Sequence, residues 1–153
     1  MKILSLEIIW FKVKNHGKLR FPPPNFVLKG FYILKINTDQ DIYGLGEISS
    51  YVGNFNQIQN IFTNIFSPII INKKISIIDF TKNIELKKIY KKNISKQILH
   101  SAVSAIIQAL LDIKGKINKK PVFELLNSKK KLNLKAYASG GLIYDDEKYD
   151  ELL

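Results

Sequence analysis

The sequence predicts an α+β fold in which a three-stranded antiparallel meander is followed by a helical bundle. Runs of β-branched and aromatic residues fill the first third of the chain, which is typical of strands. After Gly53 the apolar residues recur at helical spacing instead. With 153 residues, of which 46% are hydrophobic, the chain is long enough to bury a sizeable core. These features exclude a wholly disordered protein.

The three predicted strands cover residues 3–13, 26–38 and 42–48. Residues 15–25 separate the first two strands and contain Pro22, Pro23 and Pro24. Proline cannot donate a ladder hydrogen bond, so this segment is predicted to be a loop. Residues 38–41 form a tight turn before the third strand. So short a connection requires the second and third strands to run antiparallel.

Two helices are predicted next. The first covers residues 55–66, where Asn54 and Gln57 have the spacing of a capping box and Pro68 is expected to close the helix. The second starts at Ser76, which has Asp79 three residues later.

The clearest helix opens near Ser95. Its apolar stripe is formed by Leu99, Ala102, Val103, Ile106, Ala109, Leu110 and Ile113. Small residues in this helix, Ala102, Ala105 and Ala109, would let a neighbouring element approach closely. Gly115 is predicted in or at the end of its last turn. Pro121 suits the first position of a short helix that reaches Leu126.

The last segment starts a different pattern. Residues 132–139 are predicted to form a strand, and Asp145 and Asp146 open a helix whose apolar face has only begun when the chain stops. A strand, a loop and an opening helix are the first step of an alternating β/α series. We therefore expect a domain boundary at residue 131, with residues 132–153 as the start of an incomplete second domain.

Composition excludes several function classes. The net charge is +11, but every basic residue except Arg20 is lysine, whereas phosphate and base recognition favours the bidentate guanidinium. We therefore do not expect nucleic-acid binding. The absence of cysteine excludes disulfide scaffolds, zinc fingers and thiol nucleophiles. The sequence has no run of about 18 apolar residues, so we expect no membrane span and a cytoplasmic location.

Four motifs in order then carry a resemblance. Residues 44–47 are Gly-Leu-Gly-Glu, and residues 101–116 begin with Ser-Ala and end with Ala-Leu-Leu-Asp-Ile-Lys-Gly-Lys. Residues 121–126 have the pattern Pro-x-x-x-Leu-Leu, and residues 134–139 follow. Together they resemble the N-terminal part of the mandelate racemase and muconate-lactonizing enzymes of the enolase superfamily. The last motif resembles the first strand of that family's barrel.

The resemblance implies an enolase-like N-terminal capping domain at residues 1–131, followed by the start of a truncated (β/α)-barrel. In the family, barrel carboxylates hold a divalent metal, usually Mg²⁺, and basic residues of a Lys-x-Lys strand remove a proton next to a substrate carboxylate. A whole barrel needs roughly 200–250 residues, so these groups are not in this chain. We therefore assign no catalytic residue and no metal ligand, expect no cofactor for this chain alone, and expect it to be inactive by itself.

The resemblance also places two substrate-specificity loops at residues 17–25 and 49–54. The candidate substrate-binding residues are Lys18, Arg20, Phe21, Glu47, Ser49, Tyr51 and Ser139. Arg20 suits a clamp on a carboxylate or is an ordinary surface arginine. Glu47 either pairs with a basic residue or contacts substrate. Tyr51 covers a bound acid or staples its loop.

The remaining motif residues have structural interpretations. Gly44 and Gly46 lack the further glycine or lysine of a phosphate-binding loop, so they are predicted to allow close packing of a strand on a helix. Asp112 is predicted to anchor the end of its helix to a neighbouring segment.

Two functions remain open. The first is the cap of a racemase, epimerase, dehydratase or cycloisomerase that acts on a small carboxylate-bearing substrate. The second is a non-catalytic interaction domain that binds a separate barrel or another partner through exposed apolar helix faces. In either case the isolated chain is expected to self-associate as a homo-oligomer.

Overall fold

The sheet is the predicted antiparallel meander. The computed structural model describes residues 1–11, 31–49, 54–74, 76, 80, 81, 84, 95–126 and 135–137. The strands are β1 (Ile3–Phe11), β2 (Phe31–Thr38) and β3 (Tyr43–Ile48), in the order β1-β2-β3. Both neighbouring pairs run antiparallel, which confirms the prediction.

Strand register brings alternate residues of all three strands onto one face of the sheet. Ile36 of β2 is opposite Leu6 of β1 and Gly44 of β3, and Leu34 is opposite Ile8 and Gly46 in the same way. Directly opposed residues of antiparallel strands share a face, so these rows form its inner side. Alternate residues of β2 and β3 are accordingly buried along their length.

The predicted turn between β2 and β3 is stabilised by its own side chains. The hydroxyl of Thr38 donates to the carbonyl oxygen of Ile42 at 2.6 Å. Asp39 accepts a hydrogen bond from the backbone N–H of Lys2 at 2.7 Å. Asp41 has a φ of 52°, a left-handed conformation that aspartate tolerates in turns.

The first helix starts as predicted. It comprises α1 (Phe55–Ile61), a π-helical segment (Phe62–Phe66) and α2 (Ser67–Ile70). Asn54 and Gln57 form the expected capping box, in which each side chain accepts a hydrogen bond from the other residue's backbone N–H.

Pro68 does not close this helix, so that prediction is wrong. The helix widens into a π turn before the proline, and the N–H of Ser67 donates to the carbonyl oxygen of Phe62, five residues back. Pro68 then falls at the start of α2, directly after the π turn, and the helix runs on through it. The chain therefore stays helical to Ile70.

The long helix α3 (Lys96–Asn118) begins after Ser95, as predicted. Gly115 lies in its last turn, and Lys119 ends the helix with a φ of 51°. The short helix α4 (Val122–Leu125) follows, with Pro121 one position earlier than predicted, as its N-cap.

The core lies between the inner face of the sheet and the helices. Its most buried large side chains are Ile3, Leu34, Ile36, Ile48, Ile58, Phe66, Ile70, Leu99, Ile106 and Ile113. In the described part of the chain, α3 is the helix that has the length and hydropathy of a membrane span, with half of its most apolar window buried. Its position under the sheet accounts for that hydropathy, because a core helix also needs a wide apolar face.

Two predicted elements are described only in part. The N–H of Phe80 donates to the carbonyl oxygen of Ser76, and that of Ile84 donates to Phe80, which is the i to i−4 pattern of the predicted second helix. Asp79 lies outside the described residues. Residues 135–137 do not pair with the described sheet, and the rest of the predicted strand and final helix, residues 132–134 and 138–153, lies outside the described residues.

Candidate functional site

The strand β3 packs on α3 without intervening side chains. A methyl group at Gly44 would come within 2.8 Å of the carbonyl carbon of Ala109, and one at Gly46 within 2.8 Å of that of Ala105. Both distances are far below van der Waals contact, so only glycine fits. The interpretation of the two glycines as packing residues is confirmed, as is the predicted role of Ala105 and Ala109 in α3.

One end of β3 is held by charged groups of α3. The N–H of Leu45 donates to Oδ2 of Asp112 at 2.9 Å. Lys116 lies one helical turn further on; its Nζ is 2.7 Å from the same Oδ2 and donates to the carbonyl oxygen of Tyr43 at 2.7 Å. Nζ of Lys116 also lies 4.4 Å from the centre of the Tyr43 ring. Asp112 therefore anchors the end of α3 to β3, as predicted.

The other end of β3 is held by neutral groups. The N–H of Glu47 donates to Oε1 of Gln108 at 3.0 Å, and that of Ser49 donates to Oγ of Ser101 at 2.8 Å. The amide of Gln108 in turn donates to Oγ of Ser104 at 3.1 Å. Alternate N–H groups of a strand point to the same edge, so α3 satisfies the free edge of β3 as a neighbouring strand would.

This neutral end presents the two candidate substrate-binding residues that the structure describes, Glu47 and Ser49. Glu47 is exposed, and within the described ranges its carboxylate forms no ion pair. The predicted alternative of a basic partner for Glu47 is therefore not found in that part of the chain. Ser49 is half-buried and immediately follows β3.

A groove of about 430 Å³ crosses the outer face of the sheet beside Glu47. Its lining is mostly apolar and includes Ile9, Phe11, Ile33, Leu45 and Tyr43. Lys35 and Gln108 add polar atoms. Nζ of Lys35 is already 3.7 Å from Oε2 of Glu7, which leaves Glu47 as a charged group of the groove without such a partner among the described residues.

The described residues do not fit a Mg²⁺ site. Magnesium is held in octahedral geometry by oxygen ligands, which include protein carboxylates and water. Within the described ranges, no group of three or more His, Cys, Asp or Glu side chains could hold a metal ion. This end of β3 presents an exposed carboxylate that can accept hydrogen bonds, next to backbone fixed by α3.

Five of the seven candidate residues lie outside the described residues: Lys18, Arg20, Phe21, Tyr51 and Ser139. The sequence interpretation missed Gln108 and Ser101, although Ser101 belongs to a recognised motif. Their spacing carries a signal, because both flank the stripe of small residues that marks the close contact of α3 with β3. Polar residues beside such a stripe are positioned to reach the edge of the strand.

Two curated relatives are similar in sequence over most of this chain. A D-galactonate dehydratase family member of Paenibacillus sp. strain JDR-2 is 34% identical over 110 residues, which are 71% of this chain and 26% of the relative. The arabinonate dehydratase of Saccharolobus solfataricus is 30% identical over 119 residues, 76% of this chain and 30% of the relative. The chain thus spans less than a third of the length of these two relatives.

Solved structures have the same architecture. A member of the enolase superfamily from Polaromonas sp. JS666 aligns with a TM-score of 0.62 at 25% identity, over 99% of this chain and 41% of that one. Residues 27–127 match the family described as mandelate racemase / muconate lactonizing enzyme, N-terminal domain. This match covers β2, β3 and all the described helices, and with them the contact between β3 and α3. The chain therefore belongs to the mandelate racemase/muconate lactonizing enzyme family and has the fold of its N-terminal domain.

Proposed function

We propose that this chain is the substrate-capping domain of an acid-sugar dehydratase. The family match over residues 27–127 supports this proposal. The names of the two curated relatives support it as well, because one is an arabinonate dehydratase and the other a D-galactonate dehydratase family member, and both names refer to sugar acids. Since the chain spans 26% and 30% of those relatives, the remainder of such an enzyme would supply the reaction centre.

The proposed reaction removes a proton next to the substrate carboxylate. Loss of the proton from C2 and of the hydroxyl at C3 as water leaves an enol, which tautomerises to a 2-keto-3-deoxy acid. We assign the base and the metal to a barrel domain, of which residues 132–153 would be the first part. No step of the chemistry is assigned to this chain, which on this proposal has no turnover alone.

The contribution of this chain would be recognition. Glu47 can accept hydrogen bonds from substrate hydroxyls, and charged acceptors make the stronger hydrogen bonds. Ser49 offers a hydroxyl two residues further on. Arg20 in the first specificity loop would bind the substrate carboxylate, with Lys18, Phe21, Tyr51 and Ser139 around it. A cap of this kind also keeps water from the reacting centre.

The test compares two proteins made from the same gene. One is the 153-residue chain, and the other, called the extended protein, is the product of the gene's full reading frame. Each is incubated with Mg²⁺ and arabinonate or galactonate, and the 2-keto-3-deoxy acid is measured. We expect turnover only by the extended protein. Turnover by the 153-residue chain, or none by the extended protein with any sugar acid, would contradict the proposal.

Exposed apolar side chains support a second candidate, an interaction domain derived from such a cap. Ile117, Phe123 and Leu126 are 46%, 42% and 60% exposed around the end of α3 and along α4. Their surface would bind a separately encoded barrel or a second copy of the chain. Gel filtration of the 153-residue chain, alone and with a barrel from the same genome, distinguishes the two: a stable complex with a separate barrel favours the interaction domain.

A further inference from the structure

Two side chains of α3 are placed to control the site without touching substrate. We propose that Gln108 and Ser101 are positioning residues that fix the backbone of Glu47 and Ser49, and so set how tightly the site holds its substrate. The substrate part of this inference rests on the proposed function. Neither residue belongs to the candidate substrate-binding set; both act through the strand end that presents it.

The geometry of the hydrogen bonds supports this role. Oε1 of Gln108 and Oγ of Ser101 accept from the backbone N–H groups of Glu47 and Ser49, at 3.0 and 2.8 Å. Because main-chain atoms are held, the bonds place the strand end and leave both candidate side chains available for a ligand. Ser104 holds the amide of Gln108 from the same helix at 3.1 Å.

The helix itself supplies the rigidity. The backbone of α3 is in direct contact with β3 at Gly46, the residue before Glu47, and Ala105 at that contact is fully buried. The depth of this contact fixes the distance between the strand and the helix. The side chains of Gln108 and Ser101, on either side of Ala105, then fix the position of the strand end along that surface. A small error in such a placement is enough to weaken ligand hydrogen bonds, which lose strength steeply with poor geometry.

Asp112 provides the matched comparison. It accepts from the N–H of Leu45 in the same way, at 2.9 Å. Leu45 lies two residues before Glu47, towards the turn end of β3, and Asp112 is paired there with Lys116. If the loop end of β3 is the functional one, loss of Gln108 or Ser101 changes substrate binding, while loss of Asp112 changes only stability. A purely structural role for all three residues predicts that they behave alike.

The first measurement uses the 153-residue chain and needs no substrate. Amide hydrogen exchange is followed by NMR in the unchanged chain and in Ser101→Ala, Gln108→Ala and Asp112→Ala. Loss of one hydrogen bond should speed exchange roughly three- to tenfold at Ser49, Glu47 and Leu45 respectively. Ser101→Thr keeps an acceptor oxygen and should retain slow exchange at Ser49. If Ser49 in Ser101→Ala and Glu47 in Gln108→Ala exchange as slowly as in the unchanged chain, the inference is overturned.

The second measurement uses the extended protein with arabinonate or galactonate. We expect KM to rise roughly three- to tenfold in Ser101→Ala and Gln108→Ala with kcat nearly unchanged, and to stay close to that of the unchanged protein in Ser101→Thr. Asp112→Ala should lower the melting temperature and leave KM unchanged. Turnover with an unchanged KM in both Ser101→Ala and Gln108→Ala would overturn the inference. If the extended protein has no turnover at all, the proposed function fails, and the exchange result alone decides whether Gln108 and Ser101 hold the strand end.

Discussion

The two ends of β3 are held to the same helix by different chemistry. At the turn end, Asp112 and Lys116 form an ion pair with each other and contact β3 through two backbone hydrogen bonds and a ring contact. At the loop end, Gln108 and Ser101 accept one backbone hydrogen bond each and carry no charge. The acid at that end, Glu47, belongs to the strand and has no described ionic partner.

This difference separates structure from recognition. At the turn end, the charges of Asp112 and Lys116 are paired with each other. A neutral anchor holds the backbone and leaves the field around Glu47 unchanged, so that this carboxylate remains available for an external partner. The edge of β3 is covered along both halves, which also prevents it from pairing with another chain.

The largest effect is expected where the two halves meet, at Gly46. Gly46→Ala would bring a methyl group within 2.8 Å of the carbonyl carbon of Ala105, so β3 must move away from α3. We expect a loss of about 3 kcal/mol or more in the free energy of unfolding. Urea unfolding followed by the fluorescence of Trp10, the only tryptophan, measures it, because its ring lies 5.9 Å from that of Phe55 and 6.0 Å from that of Tyr32.

The control for this prediction is a second substitution in the helix. The atoms that block a methyl group at Gly46 belong to the backbone of Ala105, including its carbonyl carbon and Cα. Ala105→Gly should therefore fail to rescue Gly46→Ala, and should add its own helix cost of about 1 kcal/mol. Recovery of stability in the double variant would show that the side chain of Ala105 is the obstacle.

A smaller effect is expected at the charged end. Asp112→Ala removes the acceptor for the N–H of Leu45 and the partner of Lys116, which should cost about 1–2 kcal/mol. Asp112→Asn keeps an acceptor oxygen and should cost about half as much. Urea unfolding at low and high salt measures both terms, since salt screens the partly exposed ion pair and not the backbone bond. Equal losses for the two variants would mean that the bond to Leu45 contributes nothing.

Periodicity was sufficient to predict the sheet and most helices. The β-branched runs and the tight turn predicted an antiparallel meander, and the stripe of α3 predicted its buried face, including the small residues that meet Gly44 and Gly46. The prediction that Pro68 ends its helix is wrong, because it rests on the general rule that proline interrupts a helix interior. A local π turn precedes Pro68 and places it at the start of α2, and no pattern in the sequence indicates that turn.

The site was harder to predict than the fold. Glu47 and Ser49 could be selected from a motif and a resemblance, but what holds them depends on which side chains of α3 reach the edge of β3. That contact joins residues more than 50 positions apart, as the bonds from Glu47 to Gln108 and from Ser49 to Ser101 show. The close contact at Gly44 and Gly46 brings β3 near enough to α3 for these side chains to reach its N–H groups. The sequence pattern does not specify that distance between strand and helix.

The smallest effect on stability, and the sharpest test of the comparison, is expected for Glu47→Gln. The exposed carboxylate has no ionic partner in the described part of the chain, so the free energy of unfolding should change by less than about 0.5 kcal/mol. In the extended protein, the same change should raise KM for a sugar acid about tenfold, because a charged acceptor of hydroxyl groups is replaced by a neutral one. Urea unfolding and steady-state kinetics measure the two effects. A loss of more than about 1 kcal/mol, on the scale of Asp112→Ala, would mean that Glu47 is a structural anchor as well, and that both ends of β3 depend on charged groups for stability.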